Sequence, residues 1–353
     1  MSDLKRKSSG FKGIAAGLVP QKGDRIGEMV RKVVFLVSIV VLLVMVILIL
    51  NSLIKSDSES KVSESLSDLY HNSSITIDTN KREEIEKKFP EVQEKFLPLL
   101  EINEDTIGWI TIANSDGKTI VDHPIVQCED NSYYLTHSFE KKYSRSGAVF
   151  ADFHDPITAE SQPANIVLYG HNMLDNYTMF SPLINYFNSP KKDLSDISYY
   201  KEYPTITLST LYETSTYKIF AGMMTNCEES AGEVFDYHLV HNFASKAEFE
   251  DYCGKILDRS TFYNPDADLQ YGDELVTLST CIYGYNNSAD TRWVIFGRKV
   301  RDGESETVDV EKAYANPDPL FYDLYYAVYG GKWGGRKWDS ALLKGYEPKR
   351  GDE

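Results

Sequence analysis

The stretch Glu274-Leu275-Val276-Thr277-Leu278-Ser279-Thr280-Cys281 alternates β-branched and apolar residues, which reads as a β-strand that ends in a thiol. A loop with Gly284, Asn286, Asn287, Ser288 and Asp290 follows. The next strand begins Thr291-Arg292-Trp293-Val294-Ile295-Phe296. A hairpin of these two strands sets a nucleophile beside a fixed cation. Two readings of the cysteine compete: a small residue buried in a sheet, or a reactive thiol at a strand exit.

The chain has 353 residues, 42% of them hydrophobic and 25% charged. That supplies a sizeable core in one large or two small domains, plus appendages. The net charge is −16 and is unevenly spread. Residues 1–32 hold five Lys and three Arg against Asp3, Asp24 and Glu28, so this end is +5 and the remainder −21. An acidic body argues against nucleic acid as partner. The four cysteines at 128, 227, 253 and 281 contain no CxxC pair, and the seven histidines show no HxxxH or HExxH spacing. Neither a disulfide scaffold nor a metal site is expected from these spacings, and no cofactor.

Residues 33–54 are apolar apart from Ser38, Asn51 and Ser52, long enough to cross a bilayer as a helix. The apolar run is longer than that of a signal peptide, and no A-x-A-like cleavage site follows. Basic residues precede the span while Asp57, Glu59 and Glu64 follow it, so residues 1–32 are expected in the cytoplasm and the rest outside the cell. Residues 55–80, rich in Ser, Asp and Lys, read as an extracellular tether without an apolar face. From Lys81 to Leu100, Ile85, Phe89, Val92 and Phe96 recur at helical spacing, with Pro90 and Pro98 expected to break the helix.

Short strand-like pieces then follow: 106–112, 119–122, 125–126, 147–150, 166–169, 205–212, 217–223, 275–281 and 292–300. Glycine, proline and polar turns separate them, which points to a mostly antiparallel barrel or sandwich. Ser181-Pro182 reads as a cap and first helical turn. Ser245-Lys246-Ala247-Glu248 has the form of a capping box before a stripe of Phe249, Tyr252, Cys253 and Ile256, which makes Cys253 a core residue. Residues 303–353 change character, with an aromatic run from Leu320 and glycines between Gly330 and Gly335. They read as a packed appendage or a flexible contact segment, and the glycines with Lys332, Arg336 and Lys337 favour the second.

Ile166-Val167-Leu168-Tyr169-Gly170-His171-Asn172-Met173 is an apolar strand with a histidine at its exit. Alone, such a histidine is more often structural than catalytic. With Cys281 and Arg292 it completes the parts for thiol acyl transfer: a nucleophile, an acid for the leaving amine and a cation for the oxyanion.

At this point the chain resembles the sortases, cysteine transpeptidases of Gram-positive surfaces, and most of all class B. Tyr169-Gly170-His171-Asn172-Met173, Thr277 to Cys281, and Arg292 carry the resemblance, in the family's order. Gly108-Trp109-Ile110, Asp122 to Gln127, Asn131-Ser132-Tyr133-Tyr134-Leu135 and Gly147 to Phe153 add to it. It covers about residues 80–302. The resemblance implies a mainly β fold, an eight-stranded barrel with N-terminal helices and a helix-containing insertion (224–262) before the catalytic strand, in a catalytic domain of residues 81–302. It implies Cys281 as nucleophile, His171 as general acid then base, and Arg292 as holder of the substrate carbonyl or oxyanion. Asn131, Leu135, Tyr169, Ser279 and Thr280 are the implied substrate-binding residues. The implied partners are surface proteins with an Asn-Pro-x-Thr-like C-terminal sorting signal, cleaved after Thr, and a cell-wall precursor amine. Ile282, after the thiol, departs from relatives with a polar or acidic residue there. Papain-like enzymes place Cys before His, the reverse of the order here. A pilin-polymerising sortase and a catalytically silent wall-binding protein are the alternatives, though no Asp-Pro-aromatic lid precedes the body.

Overall fold

Eight strands close into a barrel in the order β1-β2-β3-β4-β8-β9-β6-β5 in the computed structural model of the chain. It describes residues 18–72, 77–173, 177–187, 194–283, 290–336 and 338–346, with the backbone alone for 51–60. The barrel strands are β1 (Thr106–Ala113), β2 (Thr119–Val126), β3 (Val149–Ala151), β4 (Asn165–Tyr169), β5 (Thr205–Thr210), β6 (Thr214–Asn226), β8 (Leu275–Cys281) and β9 (Thr291–Lys299). A short β7 (Phe262–Tyr263) pairs outside the barrel with β10 (Tyr314–Ala315). Each expected strand is present, and the two pieces around Pro124 are one strand, β2.

The helices follow local signals. α1 (Ile26–His71) is one continuous helix, and its segment Ile26–Leu50 is long and apolar enough to cross a membrane, with a mean hydropathy of 3.7 over its most apolar 18 residues. α2 (Thr79–Lys88) starts at Asp78, whose side chain accepts from the Asn80 N–H. The chain turns at Pro90 and resumes as a 3₁₀ turn leading into α3 (Leu97–Ile102). A 3₁₀ turn over Ser181–Tyr186 and the short α4 (Ser198–Glu202) follow. α5 (Lys246–Arg259) is capped as its sequence suggests: the Ser245 side chain accepts from Glu248 N–H, and Glu248 Oε2 accepts from Ala244 N–H. Cys253 is fully buried on its inner face, and burial raises its thiol pKa well above the ordinary value.

Two apolar cores result. Alternate residues of the strands (Ile110, Ile166, Leu168, Val276, Leu278, Trp293 and Ile295 among them) fill the barrel. Their neighbours on the outer face (Phe220, Met223, Val294 and Phe296) meet Phe249, Cys253 and Ile256 of α5.

The chain divides into two compact units, residues 1–62 and 63–353. This corrects two expectations. The segment 55–80 is not a bare tether: within the second unit Leu66 and Tyr70 are buried, and the Tyr70 ring stacks on Trp109 at 4.4 Å and 5°. Nor is the described part of the tail, 303–336 and 338–346, a loose contact segment. Phe321 and Tyr325, the latter in α6 (Asp323–Tyr329), belong to the barrel core, while Trp338, Leu342 and Leu343 join the core under α5. Arg336 and Trp338 both donate to the Asp258 carboxylate of α5. Aromatic area of this size is buried rather than left in water, because its transfer from water outweighs the ordering of the glycine links. The residues 1–17, the hairpin loop 284–289 and Lys337 lie outside the described residues.

Candidate active site

Three adjacent staves build the site. β4 runs parallel to β8, with Tyr169 opposite Ser279, and β8 runs antiparallel to β9, with Cys281 opposite Arg292. Since Val276, Leu278, Trp293 and Ile295 face inward, alternation puts Ser279, Cys281 and Arg292 together on the outer face. His171 stands two residues beyond the end of β4.

The exit of β4 is tightly held. Gly170 N–H donates to the Ser279 carbonyl at 3.2 Å, and Phe180 N–H donates to the His171 carbonyl at 3.0 Å. A Cβ at position 170 would meet the Phe180 ring at 2.7 Å, so glycine is required by close packing there. His171 Nε2 lies 2.8 Å from the Leu135 carbonyl. A carbonyl only accepts, so Nε2 carries a proton and Nδ1 is the nitrogen left for proton exchange. Asn172 Nδ2 donates to the Cys281 carbonyl at 2.9 Å, which ties the two strand exits together.

Arg292 is oriented from the other side. Asp290 takes Nη1 on one carboxylate oxygen and Nη2 on the other, the latter at 2.9 Å. Burial works to lower the Arg292 pKa, but Asp290 and the thiols of Cys281 and Cys227 raise it on balance, so its charge is permanent. The Asp290 carbonyl accepts from Cys227 N–H at 2.9 Å, anchoring this pair to the end of β6.

Of the groove residues expected from sequence, Leu135 is exposed and supplies the carbonyl under His171. Asn131 and Tyr169 meet on one carboxylate: Asn131 Nδ2 and Tyr169 OH both donate to Asp152 Oδ2 at 2.8 Å. Burial would raise the Asp152 pKa, yet hydrogen bonds from the His154 backbone, Tyr169, the His154 ring and Asn131 hold it below the usual carboxylate range. Ser279 is buried, with its Oγ 2.7 Å from Tyr237 OH of the insertion. Thr280 stands apart. Its side chain turns to the opposite face from Cys281, buried, and its hydroxyl has no partner among the described residues.

The sequence assigns no site role to Asp290, Tyr237 or Tyr283, which the fold places beside the thiol and the guanidinium. Asp290 was legible in principle, since a carboxylate two residues before Arg292 falls on the same face of an extended chain. Burial, followed by the adjacent Cys281 sulfur, raises the Tyr283 hydroxyl pKa. Tyr237 reaches Ser279 across 42 residues, a distance that local pattern cannot bridge.

No family model matches the chain. It is 30% identical over 191 residues to Sortase B of Listeria monocytogenes, an alignment covering 54% of this chain and 68% of that protein. It is 26% identical over 197 residues to Sortase B of Staphylococcus aureus, covering 56% and 71%. Among solved structures, sortase B from Bacillus anthracis in complex with AAEK1 superposes with a TM-score of 0.53 at 25% identity, covering 70% of this chain and 99% of that one. A mutant form of Clostridium perfringens sortase B gives 0.51 at 27%, covering 69% and 98%. With these similarities added to the eight-stranded barrel and the order of its strands, the chain belongs to the class B sortase family.

Proposed function

We propose that the chain is a membrane-anchored cysteine transpeptidase that cleaves a C-terminal sorting signal after Thr and passes the released protein to a cell-wall amine. The observation that carries this reading is the register of Cys281 with Arg292, with His171 at the exit of the neighbouring strand.

In this reading the Cys281 thiolate attacks the Thr carbonyl carbon, and the carbonyl π electrons move onto oxygen. Arg292 stabilises that oxyanion with N–H groups that Asp290 leaves free. The tetrahedral intermediate collapses, the C–N bond breaks, and the leaving amine takes a proton from imidazolium His171, leaving a thioester on Cys281. An acceptor amine then attacks the thioester. Its proton passes to neutral His171, an amide forms as the C–S bond breaks, and Cys281 leaves as the thiolate. With Nε2–H held by Leu135, Nδ1 is the atom that gives and takes the proton. Asn131, Leu135, Tyr169 and Ser279 are assigned to the groove, Thr280 through its backbone.

The helix Ile26–Leu50 serves as the anchor, with the basic N-terminus cytoplasmic and the barrel outside the cell. Peptides of Asn-Pro-x-Thr type, assayed with and without an added amine, test the reading: amine-dependent ligation supports it, and turnover that Cys281→Ala leaves intact refutes it.

A further inference from the structure

Beside the groove, a second group of side chains has no role in the acyl transfer just described. Asp152 and His154 follow β3, and His241 comes from the insertion before α5. One ligand atom from each of the three lies within 4.8 Å of the other two. The Asp152 side chain is buried, His241 is largely covered and His154 is half exposed.

The geometry points to a site for a zinc-class divalent ion on Asp152, His154 and His241. Histidine spacing along the chain hides it, because the fold joins two distant loops. The donor set is that of zinc centres: two imidazoles and a carboxylate, with the open fourth position going to water on the exposed His154 side.

The outer shell supports this assignment. His241 Nδ1 lies 2.5 Å from Asp155 Oδ1, a fully buried carboxylate. That bond leaves the Nε2 lone pair free and orients the ring, as a carboxylate does behind a metal-bound histidine. Asp155 is itself fixed, since its other oxygen accepts from Val167 N–H at 2.7 Å. Gln127 Nε2 donates to the carbonyls of both Asp152 and Asp155, at 2.6 and 2.8 Å, which holds the loop in shape.

His154 Nδ1 is 2.9 Å from Asp152 Oδ1, an oxygen that also accepts from the His154 backbone N–H. The ion takes the place of the proton between ring and carboxylate, and His154 stays neutral with its proton on Nε2. Ligand bonds of about 2.0–2.2 Å then draw the three groups together. Asp152 Oδ2 meanwhile keeps Asn131 and Tyr169, so the ion would stiffen one wall of the groove.

The test uses the full-length chain in detergent with Cys281→Ala, so that the active-site thiol does not bind metal. Calorimetric titration with Zn²⁺ is expected to give one site. His154→Ala, a change at an exposed ring that the fold tolerates, should weaken it at least tenfold. Asp155→Asn should weaken it by about 10–100-fold, the usual effect of losing an outer-shell carboxylate. Co²⁺ should give a nitrogen- and oxygen-ligated spectrum without thiolate charge transfer. Absence of binding overturns the assignment. So does binding that His154→Ala leaves unchanged, or a Co²⁺ spectrum with thiolate character.

Discussion

Cys281 and Arg292 are direct partners across the β8–β9 ladder, side by side on the outer face of the barrel. Their spacing is therefore set by backbone hydrogen bonds rather than by a flexible loop. Asp290 then fixes the plane of the guanidinium through two parallel contacts. An ammonium has the charge but not the planar fork. Arg292→Lys is expected to lower kcat for peptide cleavage by about 10²–10³, the usual cost of losing an oxyanion donor. Steady-state kinetics on a fluorogenic sorting peptide measures it, and a lysine variant within a few-fold of the parent would remove the oriented-donor role.

Asp290→Asn keeps the shape and weakens the clamp. With Arg292 free to turn, a loss of about 1.4 kcal/mol in transition-state binding, or tenfold in kcat/KM, is expected. The same assay checks it. An unchanged or faster enzyme would mean that Asp290 restrains Arg292 rather than aiming it.

Glu304 links the tail to two buried cations on the outer face of the barrel, one on β9 and one on β6. Its carboxylate takes Arg298, fully buried, at 2.5 and 2.7 Å, and Lys218, nearly so, at 3.0 Å. Burial would raise the Glu304 pKa, but Arg298, the Arg301 N–H and Lys218 hold it far below the usual range. Because the folded value lies below the unfolded one of about 4.3, its contribution is complete above that pH and fades as pH falls further. Glu304→Gln leaves two buried cations short of charge and should cost about 3 kcal/mol at neutral pH. The variant's stability should also fall less steeply below pH of about 4. Denaturant midpoints across pH test both. Removal of the whole tail (304–353) exposes the aromatic faces as well, and is expected to yield aggregated protein.

Tyr70 donates to Ser209 Oγ at 2.8 Å while its ring stacks on Trp109, and Ser67 donates to Asp122 at 2.5 Å. A fragment of residues 63–353 should therefore be more stable than one of residues 80–353. Burying Leu66 and Tyr70 is worth roughly 3–6 kcal/mol, which corresponds to a Tm difference of roughly 10 °C. Calorimetry of the two fragments decides it, and equal Tm values would make the end of α1 an idle attachment.

The packing of these two ends is not legible in the sequence. Strands such as Leu275–Cys281 were legible because alternation is local, and the Ser245 cap because its partner is three residues away. Cys281, His171 and Arg292 stood out because each lies at a strand end within a recognisable motif. The packing of Tyr70 on Trp109, of Arg336 on Asp258 and of Tyr237 on Ser279 was not legible. Each joins residues far apart in the chain, and polar, glycine-rich composition around the tail aromatics resembles that of an unpacked segment. The orientation of Thr280 was hidden for another reason: position in a motif ignores the period of two that turns its side chain to the face opposite Cys281.

In the proposed reaction Cys281 carries the substrate as a thioester. Intact-protein mass spectrometry after mixing enzyme with a sorting peptide, without acceptor amine and quenched in acid, tests it most directly. The expected result is a mass increase equal to the peptide's N-terminal fragment ending in Thr, located on Cys281, discharged by hydroxylamine and absent in Cys281→Ala. Peptide cleavage with no such adduct, or an adduct that persists in Cys281→Ala, would contradict it.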